Sequence, residues 1–180
     1  MAEKRISNSS WKRRLSERLQ RLVLKRDARV AIVGVGADLN GDDAVGLLTA
    51  RQLLRRVGQR EGLLVLEGGA LPESVSGALR RYHPDLVIFI DAADLDKAAG
   101  SIEVLEAECI GGASFSTHGM PLIMMMNYLR AELGCETMLI GVQPEGVDFG
   151  TPPSQYARKA ATRLSAALSR ALAILVIDSG

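Results

Sequence analysis

Val30-Ala31-Ile32-Val33-Gly34-Val35-Gly36-Ala37-Asp38-Leu39-Asn40-Gly41-Asp42-Asp43-Ala44-Val45-Gly46 is the stretch on which the fold of this chain turns. An apolar, β-branched run over residues 30–33 breaks at Gly34 and Gly36. It reads as a buried strand that runs into a loop and delivers Asp42 and Asp43 to a helix start. A strand, a Gly-X-Gly loop and a helix usually make a phosphate cradle, because the amides of a helix N-terminus attract anions. Here the third glycine of the dinucleotide fingerprint would fall at Leu39, and no Gly-Lys-Ser/Thr of a P-loop is present. Two carboxylates at the helix mouth would also repel a phosphate. Taken alone, the segment favours carboxylates that cap the helix; the other use is as ligands or bases in a crevice.

Working outward, 180 residues suit one domain with a sizeable core. Hydrophobic residues make up 47% of the chain and the mean hydropathy is +0.11, values of a globular protein with well-filled elements. No apolar run reaches bilayer length, and the N-terminus is polar and basic without an apolar signal core. Cys109 and Cys135 are too few and too far apart for a disulfide framework or a four-cysteine zinc site, so a reducing cytoplasm is expected. The net charge of +1 hides a split: residues 1–29 hold ten Lys/Arg against three Asp/Glu, which leaves twelve against eighteen beyond them. The expected organisation is a basic arm over residues 1–28 and a single acidic α/β domain over 29–180.

The arm reads as a helix that Ser9 or Ser10 can cap, with Trp11, Leu15, Leu19, Leu22 and Val23 along one face. Lys12, Arg13, Arg14, Arg18 and Arg21 stand opposite. Such a helix either packs its stripe on the domain, the preferred reading, or docks a partner. From residue 30 onward strands and helices alternate. Strands are expected at 30–33, 63–66, 86–90 and 138–142, with helices at 44–57, 72–82 and 121–133 and a long one after Pro152-Pro153. Residues 101–105 form a short strand too close to its predecessor for a helical crossover, so it should be antiparallel or at an edge. This alternation specifies a mostly parallel sheet of about five strands with helices on both faces.

In open α/β sheets the site lies beyond the C-terminal ends of the strands. Asp42 and Asp43 follow the first strand, Glu67 ends the second, Asp91 ends the third, and Gln143-Pro144 follows the last. His118, in Ser116-Thr117-His118-Gly119-Met120-Pro121, precedes a proline-started helix, where an imidazole can be aimed freely. His83, before Pro84, reads as an ordinary helix-end residue. Two carboxylates and one imidazole make an O,O,N set with open positions, suited to nickel, zinc or iron. No His-Glu-X-X-His or Gly-X-Ser-X-Gly appears, and neither cysteine carries the signature of an activated thiol.

Five ordered motifs over about residues 29–150 now resemble one family. They are Gly34-Val35-Gly36 with Gly41-Asp42-Asp43-Ala44-Val45-Gly46; Glu67-Gly68-Gly69-Ala70-Leu71-Pro72-Glu73; Asp91-Ala92-Ala93-Asp94; Thr117-His118-Gly119-Met120-Pro121-Leu122; and Gly141-Val142-Gln143-Pro144-Glu145. Together they look like the maturation endopeptidases of NiFe hydrogenases, the HycI and HybD type, with the formate-hydrogenlyase (HycI) branch nearest in pattern. Each motif alone is weak; five in order are specific. The resemblance implies an α/β sandwich around a twisted, mainly parallel sheet. It implies removal of a C-terminal peptide from the nickel-loaded precursor of a hydrogenase large subunit. Asp43, Asp91 and His118 would then be the metal-reading and catalytic residues, with nickel delivered by the substrate and not held tightly by the free enzyme. Two positions depart from the pattern: Ala37 replaces the asparagine usual after the second glycine, and Glu67 replaces an aspartate frequent in relatives. Neither a nucleic acid nor membrane insertion is expected. The competing readings are a non-cleaving, nickel-dependent assembly module and a peptidase of related fold, resembling the spore germination proteases, with another substrate.

Overall fold

The computed structural model describes residues 10–25, 27–58, 60–105 and 119–173. Its centre is a five-stranded sheet, made of β1 (Val30–Val35), β2 (Leu63–Gly69), β3 (Leu86–Ala92), β4 (Ile102–Leu105) and β5 (Glu136–Val142), in the order β2-β1-β3-β5-β4. The pairs β1–β2, β1–β3 and β3–β5 are parallel, and β4 runs antiparallel to β5 at the sheet edge. The short strand is therefore both antiparallel and an edge strand; the nine residues after β3 are too few for a helical crossover and carry the chain past β5 to the sheet edge.

The helices are α1 (Ser10–Val23), α2 (Val45–Val57), α3 (Ser76–Tyr82), α4 (Gly119–Leu133) and α5 (Gln155–Ala173). Side-chain alternation along the strands splits the core into two layers. Val30, Ile32, Leu86, Ile88 and Ile90 face one cluster with residues of α1, α2 and α5. Ala31, Val33, Val35, Val87 and Phe89 face the other, which α3 and α4 complete through Leu79, Leu122, Met126 and Leu129. Every residue of β3 is buried, as a central parallel strand covered on both faces must be. The result is a three-layer α/β sandwich.

Helix α1 lays its apolar stripe into the first cluster: Trp11, Leu15, Leu19 and Leu22 are all buried. Its basic side also reaches the domain. Arg14 donates to the Val104 carbonyl at 2.9 Å, and Arg18 meets Glu136 at 2.5 Å. Residues 1–9 lie outside the described chain, Ser9 among them. Among the described residues, no helix is long and apolar enough to cross a membrane.

Two glycines of the opening stretch, Gly34 and Gly46, set how closely α2 approaches the sheet. A Cβ at Gly34 would fall 2.3 Å from the Gly46 carbonyl oxygen, and one at Gly46 would fall 2.2 Å from that of Ile90 and 2.3 Å from that of Val35. The Gly-X-Gly…Gly pattern thus serves backbone packing between β1, β3 and α2. That accounts for its likeness to a dinucleotide fingerprint without the phosphate chemistry.

Candidate functional site

Strands β1, β2, β3 and β5 all end on the same edge, and the chain diverges there between β1 and β3. From β1 the sheet extends to β2 on one side; from β3 it extends through β5 to β4 on the other. Such a switch point opens a crevice between loops that leave in opposite directions. Asp91 is the sixth residue of β3, paired in register with Gly141 of β5. Asp43 lies in a single 3-10 turn, Gly41–Ala44, between β1 and α2. Gly46, three residues on, rests on the carbonyl of Ile90, the residue before Asp91. The close approach of α2 therefore draws the turn bearing Asp43 over the end of β3. Both carboxylates are 2% exposed, so side chains that are ordinarily solvated sit inside the edge of the sheet.

The backbone around Asp43 is tightly specified. Gly36 has φ of +126°, and a Cβ there would lie 1.8 Å from the Asp43 carbonyl oxygen, so only glycine lets the chain fold back on this turn. Directly after it, the Ala37 amide donates to Asp43 Oδ2 at 2.8 Å. The missing family asparagine does not remove this bond, because the main chain supplies the donor.

Asp42 has a different duty from the one expected. Helix α2 has no side-chain cap at its N-terminus, so neither aspartate caps it. Asp42, 1% exposed, instead accepts the Ser154 amide at 2.6 Å, the Ser154 hydroxyl at 2.8 Å and the Glu145 amide at 2.7 Å. Ser154 in turn accepts the amides of Tyr156 and Ala157, and so caps α5. This buried carboxylate ties the β5–α5 loop to the β1–α2 turn.

The other strand-end residues are also engaged. Glu67 and Asp38 flank Arg51 of α2: Arg51 meets both oxygens of Asp38 at 2.6 and 2.7 Å and donates from Nε and Nη2 to Glu67 Oε2 at 2.9 and 2.5 Å. The Arg51 hydrogen bonds hold the Asp38 carboxyl below its ordinary range, while its two carboxylate partners push the Arg51 guanidinium further up. Gln143 accepts the Leu95 amide at 2.6 Å and shapes the loop after β3. His83 ends α3 with its amide bonded to the Leu79 carbonyl, an ordinary helix terminus.

His118 falls among residues 106–118, outside the described chain. The next residue, Gly119, opens α4, and only Gly134 and Cys135 separate the other end of that helix from β5. Helix α4 therefore runs antiparallel to β5, and its first turn lies toward the edge where Asp43 and Asp91 stand. Among the described residues there is no group of three His, Cys, Asp or Glu side chains able to hold a metal ion. Four large side chains are exposed on the loops of this rim: Leu39, Leu71, Val147 and Phe149. The loops carrying Leu39 and Phe149 are bonded through the Gly150 amide and the Leu39 carbonyl at 2.7 Å.

The described residues form an α/β fold of the open, mostly parallel kind, with buried carboxylates at its switch point. Residues 47–171 match the family model described as HycI, hydrogenase maturation protease. The hydrogenase 3 maturation protease of Escherichia coli K12 is 30% identical over 122 residues, which cover 67% of this chain and 76% of that protein. A relative from Methanocaldococcus jannaschii is 32% identical over 132 residues, 70% of this chain and 78% of its own length. The crystal structure of the NiFe hydrogenase maturation protease HycI from Thermococcus kodakarensis superposes with a TM-score of 0.75 at 34% identity, covering 84% of this chain and 96% of that one. The chain belongs to the hydrogenase maturation protease family. It is accordingly a peptide hydrolase of hydrogenase maturation, and its α/β fold is the fold of that family.

Proposed function

We propose that this enzyme removes a C-terminal peptide from the nickel-loaded precursor of a hydrogenase large subunit, and that Asp43, Asp91 and His118 read the nickel. The observation that carries this reading is the pair of carboxylates, Asp43 and Asp91, buried at the switch point between β1 and β3. Carboxylate oxygens are hard donors that an incoming metal ion can use, and an imidazole from the segment before α4 would add a borderline ligand.

Three ligands of this kind leave coordination positions open. The precursor's own cysteines would hold the nickel and fill those positions, so the metal arrives as part of the substrate. A weak site is then useful: the protease engages only precursor that carries metal, because neither the metal nor the polypeptide alone provides enough contacts. At the edge of the site, nickel would polarise the scissile carbonyl while a carboxylate takes a proton from the attacking water. The exposed side chains of Leu39, Leu71, Val147 and Phe149 offer an approaching polypeptide apolar surface beside these acids.

The decisive experiment incubates the enzyme with nickel-loaded and nickel-free precursor and follows the length of the product. A shortened product with nickel only is expected. Stable complex formation without shortening would instead favour a non-cleaving assembly role, and shortening without nickel would remove the metal from the recognition step.

A further inference from the structure

Arg51 bonds both to the loop leaving β1, at Asp38, and to the end of β2, at Glu67. Its planar fork grips both Asp38 oxygens, while Nε and Nη2 reach Glu67. A bidentate guanidinium–carboxylate pair fixes direction as well as distance, which a lysine ammonium cannot do. The residue it immobilises, Asp38, directly follows Ala37, whose amide donates to Asp43 Oδ2 at 2.8 Å. Gly36, on the other side of Ala37, has a left-handed φ of +126° that offers no side-chain anchor of its own.

The amide aimed at Asp43 is therefore held between a glycine and a clamped aspartate. We infer that Arg51 is a positioning residue: by clamping Asp38 against Glu67 and α2, it keeps the Ala37 N–H directed at the Asp43 carboxylate. The inference rests on the reading of Asp43 as a site residue, and extends it to a group that touches neither metal nor scissile bond. It also explains how the site keeps its geometry with alanine at position 37. The donor to Asp43 comes from the main chain, and the constraint on that main chain comes from Asp38 and Arg51.

The three side chains are partly exposed, so the clamp is not a major source of global stability. Exposed ion pairs contribute little to unfolding free energy even where they order a loop. That separates the two roles experimentally. In Arg51→Met, amide hydrogen exchange at Ala37 should accelerate by about tenfold while core strand amides keep their protection, because a local opening has become easier without a change in global stability. Cleavage of the nickel-loaded precursor should slow by about tenfold in kcat with KM within about twofold, the pattern of a misaligned group and not of lost substrate contact. Arg51→Lys should recover only part of the protection and of the rate, and Asp38→Asn should reproduce Arg51→Met.

Unchanged exchange at Ala37 in Arg51→Met would overturn the inference whatever happens to the rate. A lost rate with protection intact would do so too, by making Arg51 a direct substrate contact. A raised KM at constant kcat would have the same meaning. If the wild-type enzyme cleaves no precursor, the functional reading fails, yet the exchange arm still decides whether Arg51 holds Ala37.

Discussion

Asp42 and Asp43 are adjacent, chemically identical and equally buried, yet the two sides of the Gly41–Ala44 turn meet different neighbourhoods. On one side, Asp42 accepts two amides and a hydroxyl from the β5–α5 loop and the start of α5. Its charge is consumed in joining segments that lie 112 residues apart in the case of Ser154. On the other side, Asp43 accepts the Ala37 amide of its own β1–α2 loop, at the strand-end edge where Asp91 ends β3. Burial of an acid therefore says little about its role. The donors that converge on it, and the elements they come from, separate the two acids.

The sharpest way to break this contrast is to neutralise each side. Asp43→Asn and Asp91→Asn should each reduce nickel-dependent processing by about 10³-fold or more, as expected for groups that touch the reacting centre, with melting temperatures within a few degrees of wild type. Electrophoretic mobility of the precursor measures the first and calorimetry the second. His118→Ala belongs with them, and normal processing by any of the three would remove that residue from the site.

The opposite outcome is expected at Asp42. Asp42→Ala leaves the buried amides of Glu145 and Ser154 without their acceptor and should cost about 3–5 kcal/mol of stability, or about 10 °C in melting temperature for a chain of this size. Processing by the fraction that remains folded should persist. A variant that melts normally but cannot process would place Asp42 in the site instead. A smaller effect belongs to Ser154→Ala, which removes the α5 cap and one donor to Asp42; about 1–2 kcal/mol is expected by chemical denaturation.

The smallest effect concerns pH at the Asp38–Arg51 clamp. The Asp38 carboxyl is held below its ordinary value of 3.8 mainly by its hydrogen bonds from Arg51. A depressed carboxylate contributes stability that is fully present above the unfolded value and is lost as pH falls through the folded one. The difference in melting temperature between wild type and Arg51→Met should therefore be small and constant from pH 5 to 8, and should vanish only in strong acid below the ordinary aspartate range. A difference that changes between pH 5 and 8 would point to another titrating partner.

Much of the molecule was legible in the residues. The strands announce themselves as apolar β-branched runs such as Val87, Ile88 and Ile90, because a parallel strand covered on both faces has no reason to alternate. The edge position of β4 followed from too short a connection, and the stripe of Trp11, Leu15, Leu19 and Leu22 from its helical spacing. Asp91 was visible as an acid at the end of the strongest strand. Glu67 was placed with the strand-end acids by the same logic, but Arg51, sixteen residues earlier on a helix, claims it. Nothing in local spacing shows which of several basic residues on α2 will face that strand end. The glycines were visible but ambiguous, since a close helix–strand contact and a phosphate cradle ask for the same residue type.

The sequence by itself determined the order and type of the elements, the edge on which strand ends present their acids, and the ordered motifs that mark the family. These depend on near-neighbour patterns of apolarity, turn residues and chain length, which are written along the chain. Only the tertiary structure decided that Asp42 belongs to Ser154 and Glu145, that Arg51 unites Asp38 with Glu67, and that the Ala37 main chain serves Asp43. A hydrogen bond needs its donor and acceptor within about 3 Å and aligned. For groups from separate elements, that alignment exists only after α2 has settled onto the sheet through Gly34 and Gly46 and α5 has packed beside it.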